Sequence, residues 1–176
     1  MKNIKKIICI ATLLSFIIGC GKNETTPSAE SNNDDYYEKC RKLVLSENRI
    51  GQEYVFKIKK KEVDEFTLTY LGGIKTSKGD TLKILNAINY FGLYEESKRA
   101  NGFVFIYDGK NQRVGRYYVG GASSVAAKVE DNNLVFSYHD ESCNQTTSIS
   151  FLDSIPQQIF VNCTEKGGDL YSFSTE

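Results

Sequence analysis

The chain has 176 residues, 40% hydrophobic and 25% charged, the mix of one ordinary globular domain. Basic and acidic residues balance at 22 each. Setting aside Lys2, Lys5 and Lys6 of the first segment leaves 19 basic residues against 22 acidic, a net of −3, without the concentrated positive field that nucleic-acid capture needs.

The chain begins MKNIKKIICIATLLSFIIGC. Three lysines make a positive n-region, Ile7 to Ile18 an apolar run of 12 residues, and Gly19 supplies the small residue that a signal-peptidase pocket requires. A spanning helix needs about 20 apolar residues, so the run reads as a secretory signal. Its end, Ile17-Ile18-Gly19-Cys20, resembles the lipobox of bacterial lipoprotein precursors, with an aliphatic residue at −3, a small one at −1 and Cys at +1. The resemblance covers residues 1–20 alone. It implies cleavage between Gly19 and Cys20 and a diacylglyceryl group on the Cys20 thiol, the one side chain nucleophilic enough for that step. Two or three acyl chains, at about 0.8 kcal/mol per buried methylene, would hold the protein firmly on a membrane of the cell envelope. Gly21 is not the Asp linked to inner-membrane retention, which favours an outer membrane.

Residues 20–35 then read as the lipidated Cys and a flexible tether. Gly21 to Asp35, GKNETTPSAESNNDD, has no aliphatic or aromatic residue beyond one Ala and cannot offset the entropy of ordering. A tether of this length spans roughly 20 Å on average. Residues 36–176 read as a single β-rich domain. It opens with one short helix, Tyr36 to Asn48, with 36, 40, 43 and 44 on one face and Asp34 or Asp35 as cap.

Beyond Gly51 the pattern turns to strands. Tyr54–Ile58, Phe66–Leu71, Thr81–Leu85, Phe103–Tyr107, Val114–Val119, Leu134–Tyr138, Thr147–Phe151, Gln158–Val161 and Leu170–Phe173 are short β-rich runs, and Asp108–Gln112 is a hairpin turn. The expectation is a mainly β fold: an antiparallel meander of eight to ten strands closed as a barrel or folded as a sandwich. The Gly doublets at 72–73, 120–121 and 167–168 recur at nearly constant spacing, but the residues after them do not match, so no repeat is read.

Outside the cytoplasm a disulfide is permitted. A hairpin of Thr147–Phe151 with Ile155–Val161, centred on Asp153, sets Cys143 opposite Cys163 on the apolar face. The expected bridge is therefore Cys143–Cys163; two reduced core cysteines are the alternative, and the state of Cys40 is left open.

His139 is the only histidine, so any imidazole mechanism must use it. A hydrolase would pair it with Cys143 or Cys163, with Asp140 orienting the ring. The plainer reading is a polar turn, and no catalytic residue is assigned. Zinc held by Cys40, Cys143, Cys163 and His139 lacks the paired short spacing of Cys/His knuckles, so no metal or cofactor is expected beyond the lipid. Asp64-Glu65, Glu95-Glu96 and Asp140-Glu141 read as solvated charges. Lysines 57 and 59–61 read as guards of a sheet edge, with anionic headgroups as the other use. Tyr117 and Tyr118 are adjacent, so in a regular strand one turns outward. Arg116, Tyr117, Tyr118 and His139 are the candidate binding surface.

The sequence thus leads to a lipid-anchored envelope protein whose domain is a non-catalytic binding module for a protein or a glycan. The alternatives are an inhibitor or immunity protein against an incoming enzyme, an accessory of an envelope assembly, and a small hydrolase using His139.

Overall fold

The computed structural model describes residues 5–6, 29–58, 63–139 and 141–175. Gly19, Cys20, the lysines at 59–61 and Asp140 lie outside these residues. The elements are α1 (Ala29–Glu47), β1 (Lys5–Lys6), β2 (Glu53–Lys57), β3 (Val63–Lys75), β4 (Thr81–Gly92), β5 (Arg99–Tyr107), β6 (Arg113–Gly120), β7 (Lys128–Glu130), β8 (Asn133–Ser137), β9 (Thr146–Ser150), β10 (Gln158–Thr164) and β11 (Gly167–Ser174). The fold is mainly β and antiparallel, as the period-two patterning requires.

The large sheet runs β1-β2-β3-β4-β5-β6-β11-β10, and a small sheet runs β7-β8-β9. All pairings are antiparallel except the two-residue contact of β1 with β2. The large sheet is open, which corrects the barrel half of the expectation. Its one face packs against the small sheet in a sandwich-like arrangement, through Ile84, Val104, Ile106, Tyr117 and Val119 with Leu134, Phe136 and Phe151. Its other face is covered by α1, whose Cys40, Val44 and Leu45 meet Phe56, Phe66, Leu68, Leu85 and Phe105.

β3 serves both cores. Phe66, Leu68 and Tyr70 face the helix, whereas Leu71 and Ile74 face the small sheet. The switch is a bulge between Tyr70 and Gly72, where one extra residue reverses the alternation of side chains. Gly72 has φ +119°, a backbone conformation that glycine alone takes without strain.

Three expectations need correction. First, α1 begins at Ala29, inside the segment read as tether, so Asp34 and Asp35 are helical residues and not caps. Composition weighed the burial each residue lacks, but extending a helix already held by packing costs little. Asp35 adds an i,i+4 ion pair with Lys39 at 2.7 Å. Second, β9 and β10 do not form a hairpin: β9 pairs with β8 and β10 with β11, in different sheets. The segment between them carries Pro156, which has no N–H for a ladder, and it anchors elsewhere. Ser77 N–H donates to the Leu152 carbonyl at 2.7 Å, and Tyr117 donates its phenolic hydrogen to the Pro156 carbonyl at 2.5 Å. Third, β3 and β4 are 13 and 12 residues long, beyond the short runs read for them, and β7 was not read at all.

The Cys143–Cys163 disulfide is present nonetheless. It ties the irregular segment that leads into β9 to the end of β10, beside two further links: Asn144 N–H to the Cys163 carbonyl at 3.0 Å and Asn162 N–H to Thr147 Oγ1 at 2.9 Å. The bridge is a seam between the sheets.

Candidate functional site

The β5–β6 hairpin positions the best-defined candidate surface. Its turn is fixed by Asp108, whose Oδ1 accepts the N–H groups of Lys110 and Gln112, each at 2.8 Å. Along β6 the side chains alternate. Tyr117 is fully buried against the small-sheet core, its ring 5.3 Å from that of Phe173. Burial also pushes its phenol far above the ordinary range. Tyr117 therefore belongs to the core and not to the candidate surface.

Arg116 and Tyr118 point the other way, to the face that carries α1. Tyr118 is 54% exposed. It stands opposite Phe103 in the register, with ring centroids 5.3 Å apart, and donates its hydroxyl hydrogen to Asn101 Oδ1 at 3.2 Å. The Arg116 guanidinium lies 5.2 Å from the Phe103 ring centre and 5.9 Å from that of Phe105. Arg116, Phe103 and Phe105 line a groove of about 590 Å³ between the sheet and α1, together with Asp34, Gln112 and Arg113; Tyr118 lies outside its lining.

The helix side of this groove is a fixed ion cluster. The buried Arg41 donates from Nε to Glu38 Oε2 at 3.1 Å while its guanidinium sits 4.4 Å above the Phe105 ring. Tyr107 donates to the same Glu38 oxygen at 3.0 Å. Desolvation raises the Tyr107 phenol far above its ordinary value, which favours the protonated form that donates to Glu38. Phe105 thus carries one arginine from the helix and one from the sheet, both held over a ring face.

His139 lies elsewhere. It is exposed and shares a shallow cavity of about 280 Å³ with Cys143, Ser124, Tyr138 and Asp169. Sequence proximity to Cys143 is preserved, but the disulfide removes the thiolate that a Cys–His nucleophile pair needs. Of the four residues weighed for zinc, Cys40 is set apart, buried on the sheet-facing side of α1 and across the large sheet from the Cys143–Cys163 seam, where the two thiols are joined to each other. Among the described residues no group of three or more His, Cys, Asp or Glu is arranged to hold a metal ion.

Sequence reasoning missed Phe103, Arg41 and Arg113. Phe103 was legible as a strand residue but not as the partner of Tyr118. No protein-family model matches the chain, and no curated protein or solved structure matches it significantly.

Proposed function

We propose that the chain is a bacterial envelope lipoprotein, cleaved after Gly19 and lipidated on Cys20, whose domain is a non-catalytic binding module for an envelope protein or glycan. The observation that carries the binding reading is the alignment of Arg116, Phe103 and the half-exposed Tyr118 on one sheet face beside an open groove. Tyrosine supplies a large contact area with few torsions to freeze, and arginine a planar guanidinium with several donors that stacks on aromatic rings; both are enriched at binding hot spots. The anchoring reading rests on the sequence of residues 1–20.

The test is in-cell crosslinking of the full-length protein, with Cys20→Ala and a Tyr118→Ala, Arg116→Ala double variant alongside. One dominant adduct that weakens in the double variant supports a protein partner at this face. Retention on a peptidoglycan or polysaccharide matrix with the same dependence supports a glycan. An adduct that is indifferent to the double variant places the contact elsewhere. Fractionation of Cys20→Ala tests the anchor: it is expected in the soluble fraction or as an unprocessed precursor, and unchanged processing together with unchanged membrane association would overturn lipidation.

A second reading has its own observation. Between β4 and β5, Leu93 is 66% and Tyr94 69% exposed, a loop of the kind that inserts into an enzyme cleft. An inhibitor or immunity protein would use it, and a Leu93→Ser, Tyr94→Ser variant that loses the dominant adduct favours that reading.

A further inference from the structure

On the face of the large sheet away from the helix, a cavity of about 540 Å³ opens beside the small sheet. It is walled by Leu71, Ile88 and Val125, and its polar residues include Thr67, Thr69 and Asn86. Thr69 stands directly opposite Asn86 in the β3–β4 register, and Thr67 opposite Ile88, so these side chains share one face. Asn86 is 6% exposed and Thr67 8%.

These polar groups are unequally satisfied. Asn86 donates from Nδ2 to the Ala126 carbonyl, which fixes which end of its amide is the acceptor. Its Oδ1 is buried and accepts no hydrogen bond. An acceptor left unpaired in a protein interior is costly, so a native site of this kind has a partner to receive. At the rim, Glu53 has no ion-pair partner among the described residues, whereas the Arg49 guanidinium is engaged by Glu47 at 3.6 Å. The site therefore offers acceptors and the Glu53 carboxylate against an apolar wall, with the Arg49 guanidinium at the same rim drawn toward Glu47.

From this placement we infer that the cavity is a small-molecule site, separate from the Arg116–Tyr118 face, for an organic amine with a compact apolar body. The apolar part lies on Leu71, Ile88 and Val125, and the ammonium is held between Glu53 and the Thr69–Asn86 pair. Asn86 Oδ1 is covered in this structure, so engaging it requires the side chains around it to give. Organic anions are disfavoured by Glu53.

The test is a titration of the ¹⁵N-labelled full-length protein with benzylamine, benzyl alcohol and benzoate, followed by NMR. Benzylamine is expected to move the Asn86 side-chain amide and the Thr67 and Thr69 backbone amides in a saturable way. Benzoate moves none of them. Glu53→Gln and Thr69→Val are each expected to weaken benzylamine by about tenfold, the effect of one lost charge-assisted contact, while keeping the dispersed spectrum of the folded domain. No saturable shift, as for a cavity that holds water alone, overturns the inference. Equal binding of benzoate, or affinity that ignores both variants, overturns it too. None of these outcomes bears on the partner at the Arg116–Tyr118 face.

Discussion

Tyr107, in the middle of the large sheet, donates its phenolic hydrogen to Glu38 of the helix at 3.0 Å, and the same carboxylate oxygen accepts from Arg41. The helix is thereby bound to the sheet through a polar bond as well as through Val44 and Leu45. Replacing Tyr107 by Phe keeps the ring and removes the donor. The expected loss is about 1.5–3 kcal/mol, the range for a hydrogen bond to a charged group, read from urea denaturation. Hydrogen exchange should quicken in α1 first, and equal quickening in β8 and β9 would refute this account.

The Cys143–Cys163 bridge joins residues 20 apart in sequence and spans the seam between the sheets. Its removal in a Cys143→Ser, Cys163→Ser variant is expected to cost about 3 kcal/mol on the loop-closure account. A reducing agent should lower the melting temperature of the native protein and leave that of the double variant unchanged. A native melting temperature indifferent to full reduction would show that Asn144 and Asn162 hold the seam without it.

Gly115 lets β11 cross β6 closely. A Cβ built there meets the Phe173 ring and the Ser174 carbonyl oxygen at 2.5 Å, and backbone cannot swing aside as a flexible side chain can. Gly115→Ala is expected to destabilise by about 1–3 kcal/mol and to loosen the β6–β11 pairing. Wild-type thermal stability in this variant would mean that β11 shifts at little cost.

Glu65 receives Lys98 at 2.9 Å and Lys57 at 3.2 Å. The Lys98 hydrogen bond is the main cause holding the Glu65 carboxyl below its ordinary value of 4.5, and the same bond raises the Lys98 ammonium above 10.5. A lowered acid stabilises the fold above its unfolded value, and that contribution is lost as pH falls through 4.5 and below. The raised lysine contributes below 10.5 and loses it as pH rises beyond. Glu65→Gln is thus expected to cost about 1 kcal/mol or less near neutrality, the range for pairs partly open to water. The difference from wild type should narrow as pH falls below 4.5, and a gap that stays constant through the acid range would point to packing instead.

Much of the fold was legible because alternation and turn chemistry are local. The nine strand runs correspond to strands, and the Asp108–Gln112 turn closes the hairpin it was expected to close. What escaped depends on single-residue irregularities and on tertiary choice. A hairpin symmetric about Lys110 would set Phe103 opposite Tyr117. The irregularity between Ile106 and Tyr107 moves the pairing to Tyr118, and so decides which tyrosine is outward. The disulfide was placed correctly through a strand pairing that does not exist, because β9 and β10 run close together across the seam without sharing a ladder. Helix length was misjudged since residues 29–35 are polar, and composition alone does not register helix extension. The candidate cavity left no sequence signal: Thr67, Thr69 and Asn86 look like ordinary strand polar residues until β3 and β4 are set in register.

The bulge at Leu71 has a bearing on how the molecule comes apart. Because β3 changes faces there, and β4 carries Leu82 and Ile84 to one core and Leu85 and Ala87 to the other, both strands belong to both hydrophobic clusters. There is no line along which one cluster could melt and leave the other with its own intact strands. Heating should therefore give one transition, in which the tyrosine signals of Tyr107 beneath the helix and Tyr117 beneath the small sheet disappear together.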